Sequence, residues 1–321
     1  VTYGVSPITL SATGGGSGNA VTFSVLSGPG FVSGNTLTIT GAGTVVVAAN
    51  QKGNSTYAAA PQVTRNIVVG QALQSIHFTQ PKGAVTFGVS PSALTATGGK
   101  SGNPVVFSIV SGPGRITGKT LSIIGAGIVK VTASQAGDAN YLAAHPITYS
   151  ITVAHAALIV AAINASVRFG QPIPALTYSV KGFVNKDTPS VLKGKPKEIV
   201  TATKGSKVGT YLIEISLGSL AAANYKFTFV DGRLAITSLG TAKAPSFSPK
   251  AGTYVAAQTV TLSDSTPGAS IYYTINGANP TTASTRYTRA VTVKTNETIK
   301  AVAVAPGYTN SAIVTATYRI E

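Results

Sequence analysis

The chain has 321 residues, of which 24 are basic and 8 acidic, giving a net charge of +16. It holds no cysteine, methionine or tryptophan, which excludes disulfides, thiolate metal sites and thiol catalysis and removes the most readily oxidised side chains. With 44% hydrophobic residues, 35 glycines and 17 prolines, it favours packed cores of strands and tight turns over helices.

The first quarter is written twice. Val1-Thr-Tyr-Gly-Val-Ser-Pro returns as Val85-Thr-Phe-Gly-Val-Ser-Pro, 84 residues on. Ser27-Gly-Pro-Gly returns as Ser111-Gly-Pro-Gly, Gly41-Ala-Gly as Gly125-Ala-Gly, Tyr57 as Tyr141 and Val69 as Val153, without a gap. A period this long marks whole domains in tandem, not turns of a solenoid. In the second copy, residues 74–80 alternate as a first strand should. Residues 85–87, 93–96, 105–109, 121–124, 128–133 and 147–153 supply the others, separated by glycine-rich turns. About seven short strands in about 80 residues predict a β-sandwich. Three features carry a resemblance: the opening Gln74-Ser-Ile-His-Phe strand, Gly125-Ala-Gly before a valine-rich strand, and Gly137-Asp-Ala-Asn-Tyr-Leu-Ala-Ala. On these, residues 1–155 resemble bacterial immunoglobulin-like domains of large surface proteins.

The first copy lacks a counterpart of residues 74–84, which leaves an edge and part of a core face open. A trimmed boundary is one explanation. The other is a strand supplied by another molecule through β-augmentation. Val1, Thr2, Tyr3, Gly4 and Val5 are then the candidate inter-subunit junction. Residues 313–320 are needed by the last segment, so no spare strand is expected there.

The third segment, 156–238, reads Phe169-Gly-Gln-Pro, Leu176-Thr-Tyr-Ser-Val-Lys-Gly-Phe, Gly209-Thr-Tyr-Leu-Ile, Ala223-Asn-Tyr-Lys-Phe-Thr-Phe and Gly232-Arg-Leu-Ala-Ile-Thr. It closely resembles the mostly-β bacterial module of repetitive adhesin-like proteins. Alternation in Tyr211-Leu-Ile-Glu-Ile-Ser-Leu predicts that Glu214 points to solvent. The fourth segment, 239–321, contains Ala244-Pro-Ser-Phe-Ser-Pro, Pro267-Gly-Ala-Ser-Ile-Tyr-Tyr and Thr298-Ile-Lys-Ala-Val-Ala-Val-Ala-Pro-Gly-Tyr. It resembles the immunoglobulin-like module at the C-terminus of chitobiase-type enzymes, which is non-catalytic where it accompanies enzymes. The family hairpin Thr-Asp-Gly-Ser-x-Pro-Thr is here Ile275-Asn-Gly-Ala-Asn-Pro-Thr, so a metal or sugar contact through that carboxylate is lost. The apolar run 154–163 is too short for a membrane span and is interrupted by His155. With no leader or anchor in view, the chain reads as a mature product or an excised segment.

Residues that carry chemistry are few and scattered. Gly98-Gly-Lys-Ser imitates the end of a phosphate loop, but position 94 is Leu94 and no helix follows. His77, His145 and His155 lack metal-ligand spacing, and the eight carboxylates form no Asp-x-Asp-x-Asp loop. Glu297, in Asn296-Glu-Thr-Ile-Lys300, is the one place to look for an intramolecular Lys–Asn crosslink. Tyr57, Tyr141 and Tyr225 follow Asn- or Gly-rich turns and are read as corner braces. In the third segment Lys193, Lys195, Lys197, Lys204 and Lys207 lie close in sequence and form a candidate polyanion patch.

The fold class expected is all-β: four tandem immunoglobulin-like β-sandwiches, 1–72, 73–155, 156–238 and 239–321, in an elongated rod. Compact-domain scaling gives about 35–40 Å per module and about 150 Å end to end. The function expected is a structural or adhesive stalk outside a bacterial cell, without catalysis or cofactor. Self-association into fibres, acidic polysaccharide and the cell envelope are its candidate partners. Nucleic acid is not among them, for want of a basic helix or stacking platform. The alternative is the non-catalytic accessory region of a secreted carbohydrate-active enzyme.

Overall fold

The computed structural model describes residues 1–321. Strands and turns run the whole length, with a 3-10 turn at Pro189–Val191. The all-β expectation holds because β-branched residues alternate with polar ones between glycine turns, a pattern that suits a half-buried pleat.

The fold divides into two compact units. The first comprises Val1–Ala156 with Val184–Lys186 and Ala223–Tyr225. Its early residues form two three-stranded sheets. One places Thr36–Ile39 between Ile8–Thr9 and Gly30–Ser33; the other places Gly43–Gln51 between Val21–Ser27 and Val63–Val69. The later residues repeat the second sheet as Val105–Ser111, Gly127–Gln135 and Ile147–Ala154, with Ala84–Thr86 added in parallel at the edge. Register is preserved between the copies: Val25 faces Val47 as Ile109 faces Val131. Both carry the same bulge, after Val25 and after Ile109. Along Gly127–Gln135, Val129, Val131 and Ala133 are fully buried while Ile128 is exposed, so one face makes the core.

A buried glutamine closes the same loop in each copy. The Gln51 carboxamide donates to the Asn19 carbonyl at 2.6 Å and accepts from the Gly15 N–H at 2.7 Å. Gln135 does likewise with Asn103 and Gly99, both at 2.6 Å. Pairing both ends of the amide is what lets so polar a group sit in the interior. The Gly98-Gly-Lys-Ser stretch is therefore a turn clamped from beneath, with no helix after it.

The second unit comprises Ala157–Phe183, Asp187–Ala222 and Lys226–Glu321. One sheet runs Ala165–Arg168, Gly232–Thr237, Gly209–Ser216, Lys197–Val200, opposite the sheet Tyr178–Lys181, Ala156–Ala162, Tyr225–Val230. Leu234, Ile213 and Val160 lie fully buried at their common core. Further on, the five-stranded sheet Gly252–Tyr254, Val314–Ile320, Glu297–Val304, Ser270–Thr274, Thr285–Arg286 packs around Tyr318 and Ile299, with Ser246–Ser248, Gln258–Ser263 and Val291–Val293 as the other layer. Tyr318 is wholly buried, and its hydroxyl donates to the Pro249 carbonyl at 2.7 Å. Glu214 is exposed between buried Ile213 and Ile215, as its alternation predicts. No sheet in either unit mixes strands from before and after residue 70, or from before and after residue 240.

One carboxylate is out of its ordinary range. Burial raises Glu198, and its Oε1 has no hydrogen-bond partner. A carboxyl whose folded pKa exceeds its unfolded value costs stability once it is ionised. The penalty is absent below the unfolded pKa, grows as pH rises through the folded one, and is fully present above it. Glu198→Gln is therefore expected to raise the melting temperature at neutral pH and to leave it unchanged near pH 3. The wild-type chain should lose little stability between neutral pH and about pH 3, below the ordinary carboxylate pKa range. Calorimetry across that window checks both, and a steep acid loss in the wild type would refute the second.

Candidate functional site

The first copy carries an open groove where the second is closed. In the second copy His77–Phe78 pairs with Ala96–Thr97 and adds a strand over the core. Phe78 is 1% exposed, with its ring 5.3 Å from Phe107 and 5.2 Å from Tyr149. Gln74 anchors the same segment, donating to the carbonyls of Leu142 at 2.8 Å and Ala136 at 3.2 Å and accepting from the Ser101 N–H at 2.9 Å. In the first copy the counterparts of Ala96 and Thr97 are Ala12 and Thr13, exposed and in no strand. Beside them lies a cavity of 230 Å³ lined by Leu10, Phe23, Val47, Ala49, Val63 and Ile67. Four of these residues are less buried than their counterparts: Leu94, Phe107, Ala133 and Ile151 are buried, while Leu10, Phe23, Ala49 and Ile67 are only partly so. The groove has the apolar floor and the free backbone edge that an added strand with one phenylalanine would use.

A second feature repeats at the same offset of 84 residues. The Ala42 N–H, in the first Gly-Ala-Gly loop, donates to Asn140 Oδ1 at 2.9 Å, and Tyr3 meets Tyr141 edge-on with ring centroids 5.4 Å apart. The Ala126 N–H donates to Asn224 Oδ1 at 3.0 Å, and Phe87 meets Tyr225 edge-on at 5.6 Å. Residues 223–225 pack within the first unit for this reason. Edge-to-face rings and one amide acceptor make each contact directional as well as apolar. Within the second unit Phe169 plays the same part against Gly307, where a Cβ would run into the phenyl ring. The Leu239 N–H donates to the Gly307 carbonyl at 2.7 Å, and the Arg168 guanidinium to the Leu239 carbonyl at 3.3 Å.

The tyrosines read as corner braces divide accordingly. Tyr225 does bond backbone, accepting from the Val184 N–H at 3.1 Å. Tyr141 and Tyr225 also receive an aromatic residue from the preceding segment, which the sequence reading missed. The signal was present: Asn-Tyr stands at 140–141 and again at 224–225, although the third segment has a different sequence pattern.

Of the residues singled out from sequence, Val1 to Tyr3 lie along the last strand of their own copy. The Val1 ammonium donates to the Val68 carbonyl at 3.0 Å, the Gly70 N–H to Val1 and the Tyr3 N–H to Gly70, both at 2.9 Å. Gly4 turns at φ +86° and Val5 is exposed. Of these five residues Tyr3 alone meets the second copy, at Tyr141. Lys193, Lys195, Lys197, Lys204 and Lys207 are all exposed. The first three are held by backbone pairing with Ala221, Ser219 and Ser216.

His77, His145 and His155 are exposed, and no group of three or more His, Asp or Glu side chains could hold a metal ion. Lys300 does reach Asn279, its Nζ donating to Oδ1 at 3.0 Å. Glu297 shares the opposite, inward face of its strand with Ile299, so it does not stand beside that pair. No carboxylate on that side activates the lysine, and the crosslink geometry is not assembled. No helix is long and apolar enough to cross a membrane.

No curated protein matches the sequence. Among solved structures, Drosophila N-cadherin EC1-4 aligns over 98% of this chain and 94% of its own, at 13% identity and a TM-score of 0.24. The surface layer protein SbsC, domains 4-9, aligns over 97% and 74%, at 11% identity and 0.23. A Bacteroides ovatus SGBP-B from a mixed-linkage glucan utilization locus, in complex with a mixed-linkage heptasaccharide, aligns over 86% and 82%, at 11% identity and 0.14. Superpositions this loose carry no functional argument. Family models speak for the two later segments. Residues 158–235 match the MBG domain, YGX type, and residues 249–315 match the chitobiase/beta-hexosaminidase C-terminal domain, neither of them a catalytic domain.

Proposed function

We propose that this chain is a structural or adhesive stalk of a bacterial cell surface, acting outside the cell and without catalysis. Its four immunoglobulin-like segments, 1–72, 73–155, 156–238 and 239–321, follow one another along the chain. The observation that carries the reading is the repeated junction, in which a loop and an aromatic residue of one segment seat on the Asn-Tyr corner of the next. A module that only had to fold would not need the same directional contact twice. Removing both acceptors, Asn140→Ala with Asn224→Ala, should leave each fold intact and loosen the stacking. Small-angle scattering should then show a broader distribution of dimensions, with melting temperature shifted by only a few degrees, as for loss of about 1 kcal/mol per hydrogen bond. An unchanged scattering profile would count against a stalk stiffened at these points. The five exposed lysines of the third segment suit acidic polysaccharide or envelope polymer as the surface bound.

The open groove favours a finer reading, a head-to-tail fibre subunit whose first segment is completed by a strand from another subunit. A synthetic peptide of residues 74–80 is expected to bind the chain and protect the amides of Val21–Ser27 from exchange. The same peptide with alanine at the Phe78 position should not. Equal behaviour of the two peptides would exclude a Phe-directed strand. The match of residues 249–315 keeps one rival in view, the accessory region of a carbohydrate-active enzyme. A catalytic domain encoded in the same gene would decide for it.

A further inference from the structure

In each segment a short stretch near its start pairs in parallel with the end of the last strand, and the residue after the last pair stands at the tip. Thr2 pairs with Gly70, and Tyr3 follows. Thr86 pairs with Ala154, and Phe87 follows. Arg168 pairs with Thr237, and Phe169 follows. Tyr254 pairs with Ile320, and Val255 follows. The first three tips are covered, by Tyr141, Tyr225 and Gly307 respectively. Val255 is 90% exposed, a bare apolar knob at a position whose counterparts are all seated.

The corner that seats such a knob also occurs once uncovered. In the second segment Asp138 Oδ1 accepts the N–H groups of Asn140 at 2.8 Å and Tyr141 at 2.7 Å, which fixes the corner. In the first segment Asn54 Oδ1 accepts those of Thr56 at 2.8 Å and Tyr57 at 2.9 Å. The corner is therefore already built, and its Tyr57 is 52% exposed. One chain thus carries one free knob and one free corner of the kind that already join its own segments.

We propose that Val255 of one copy docks on the Tyr57 corner of a second copy, so that copies associate in one direction. The proposal rests on the fibre reading above and adds a second contact, apart from the groove, to the same association. Valine offers less area than phenylalanine, and Thr56 replaces the asparagine acceptor. The contact is accordingly weaker than the internal ones, with a dissociation constant expected between about 1 μM and 1 mM.

Sedimentation velocity on the full chain, up to about 1 mM, provides the test. Wild type should form a ladder of oligomers that grows with concentration. Val255→Asp and Tyr57→Ala should each associate more weakly over the same range, by about tenfold or more in association constant. The aspartate stands on an exposed residue, so it leaves the fold alone, and the alanine variant keeps the main-chain bonds to Asn54. An equimolar mixture of the two variants should stop at pairs, because Val255→Asp keeps its corner and Tyr57→Ala keeps its knob. If wild type assembles and either variant assembles equally well, this docking is overturned while the fibre reading stands. Growth of the mixture beyond pairs also overturns it. If wild type stays monomeric throughout, both fall.

Discussion

Phe78→Ala is expected to cost the second segment about 3–5 kcal/mol, the usual range for emptying a buried aromatic site. Phe78 is 1% exposed and touches both Phe107 and Tyr149, so little can collapse into its place without moving two other rings. The loss should be local. Hydrogen exchange should accelerate in Val105–Ser111 and Gly127–Gln135, while Glu297–Val304, which belongs to another sheet and another unit, keeps its protection. The substitution would also give the second segment the exposure pattern the first shows now, with its Leu94 and Phe107 uncovered as Leu10 and Phe23 are. Unchanged exchange in Val105–Ser111 would mean that Phe78 is not what closes this sandwich.

Gly112→Ala should be as damaging, though it adds a single methyl group to a turn. Gly112 has φ +94°, which side chains with a Cβ rarely adopt, and that Cβ would strike the Ile128 carbonyl and lie 2.8 Å from Val129 Cα. Both obstacles are main chain of the central strand, which cannot swing aside. Strain and clash together are expected to cost about 3 kcal/mol or more, a fall of about 12 °C or more in the segment's melting temperature. Gly28 repeats the situation against Thr44 and Val45, so Gly28→Ala should do the same to the first segment. A melting temperature within a degree of wild type for Gly112→Ala would show that the turn can move.

Much of the architecture is visible in the chain before any coordinates. Alternation such as Val129, Val131 and Ala133 against exposed neighbours follows from the two-residue period of a strand. The repeated Ser-Gly-Pro-Gly marks the bulge that sets the register on both sheets. The uncovered edge of the first copy could be read too, because an ungapped repeat shows which stretch of the second copy has no counterpart among these residues. What escaped was anything depending on two distant segments meeting. Asn140 reaches Ala42, and Asn224 reaches Ala126, across 98 residues each time. Neither asparagine differs from an ordinary turn residue when viewed alone. Val255 is likewise unremarkable as one more valine in a valine-rich chain. It acquires meaning only when strand pairing shows which residue stands at each tip. Glu297 erred the other way. Its closeness to Lys300 in sequence pointed to a shared site, yet three positions along a strand is an odd step, and odd steps land on opposite faces.

The short parallel pairing in every segment has a mechanical consequence. If the chain is held under tension, the two strands of such a parallel pair, one near the start of a segment and one at its end, are pulled in opposite senses along their common axis. Ala84–Thr86 would have to slide past Thr152–Ala154, and Ala165–Arg168 past Leu234–Thr237, breaking their cross-links together instead of one after another. A hairpin pulled apart from its open end yields bond by bond at low load; a patch loaded lengthwise yields only when the whole set gives way. Resistance to a sustained pull is governed by the unfolding rate, not by equilibrium stability. Three or four residues at the margin of each sandwich can therefore set the force the chain withstands, while its large cores set only how readily it recovers.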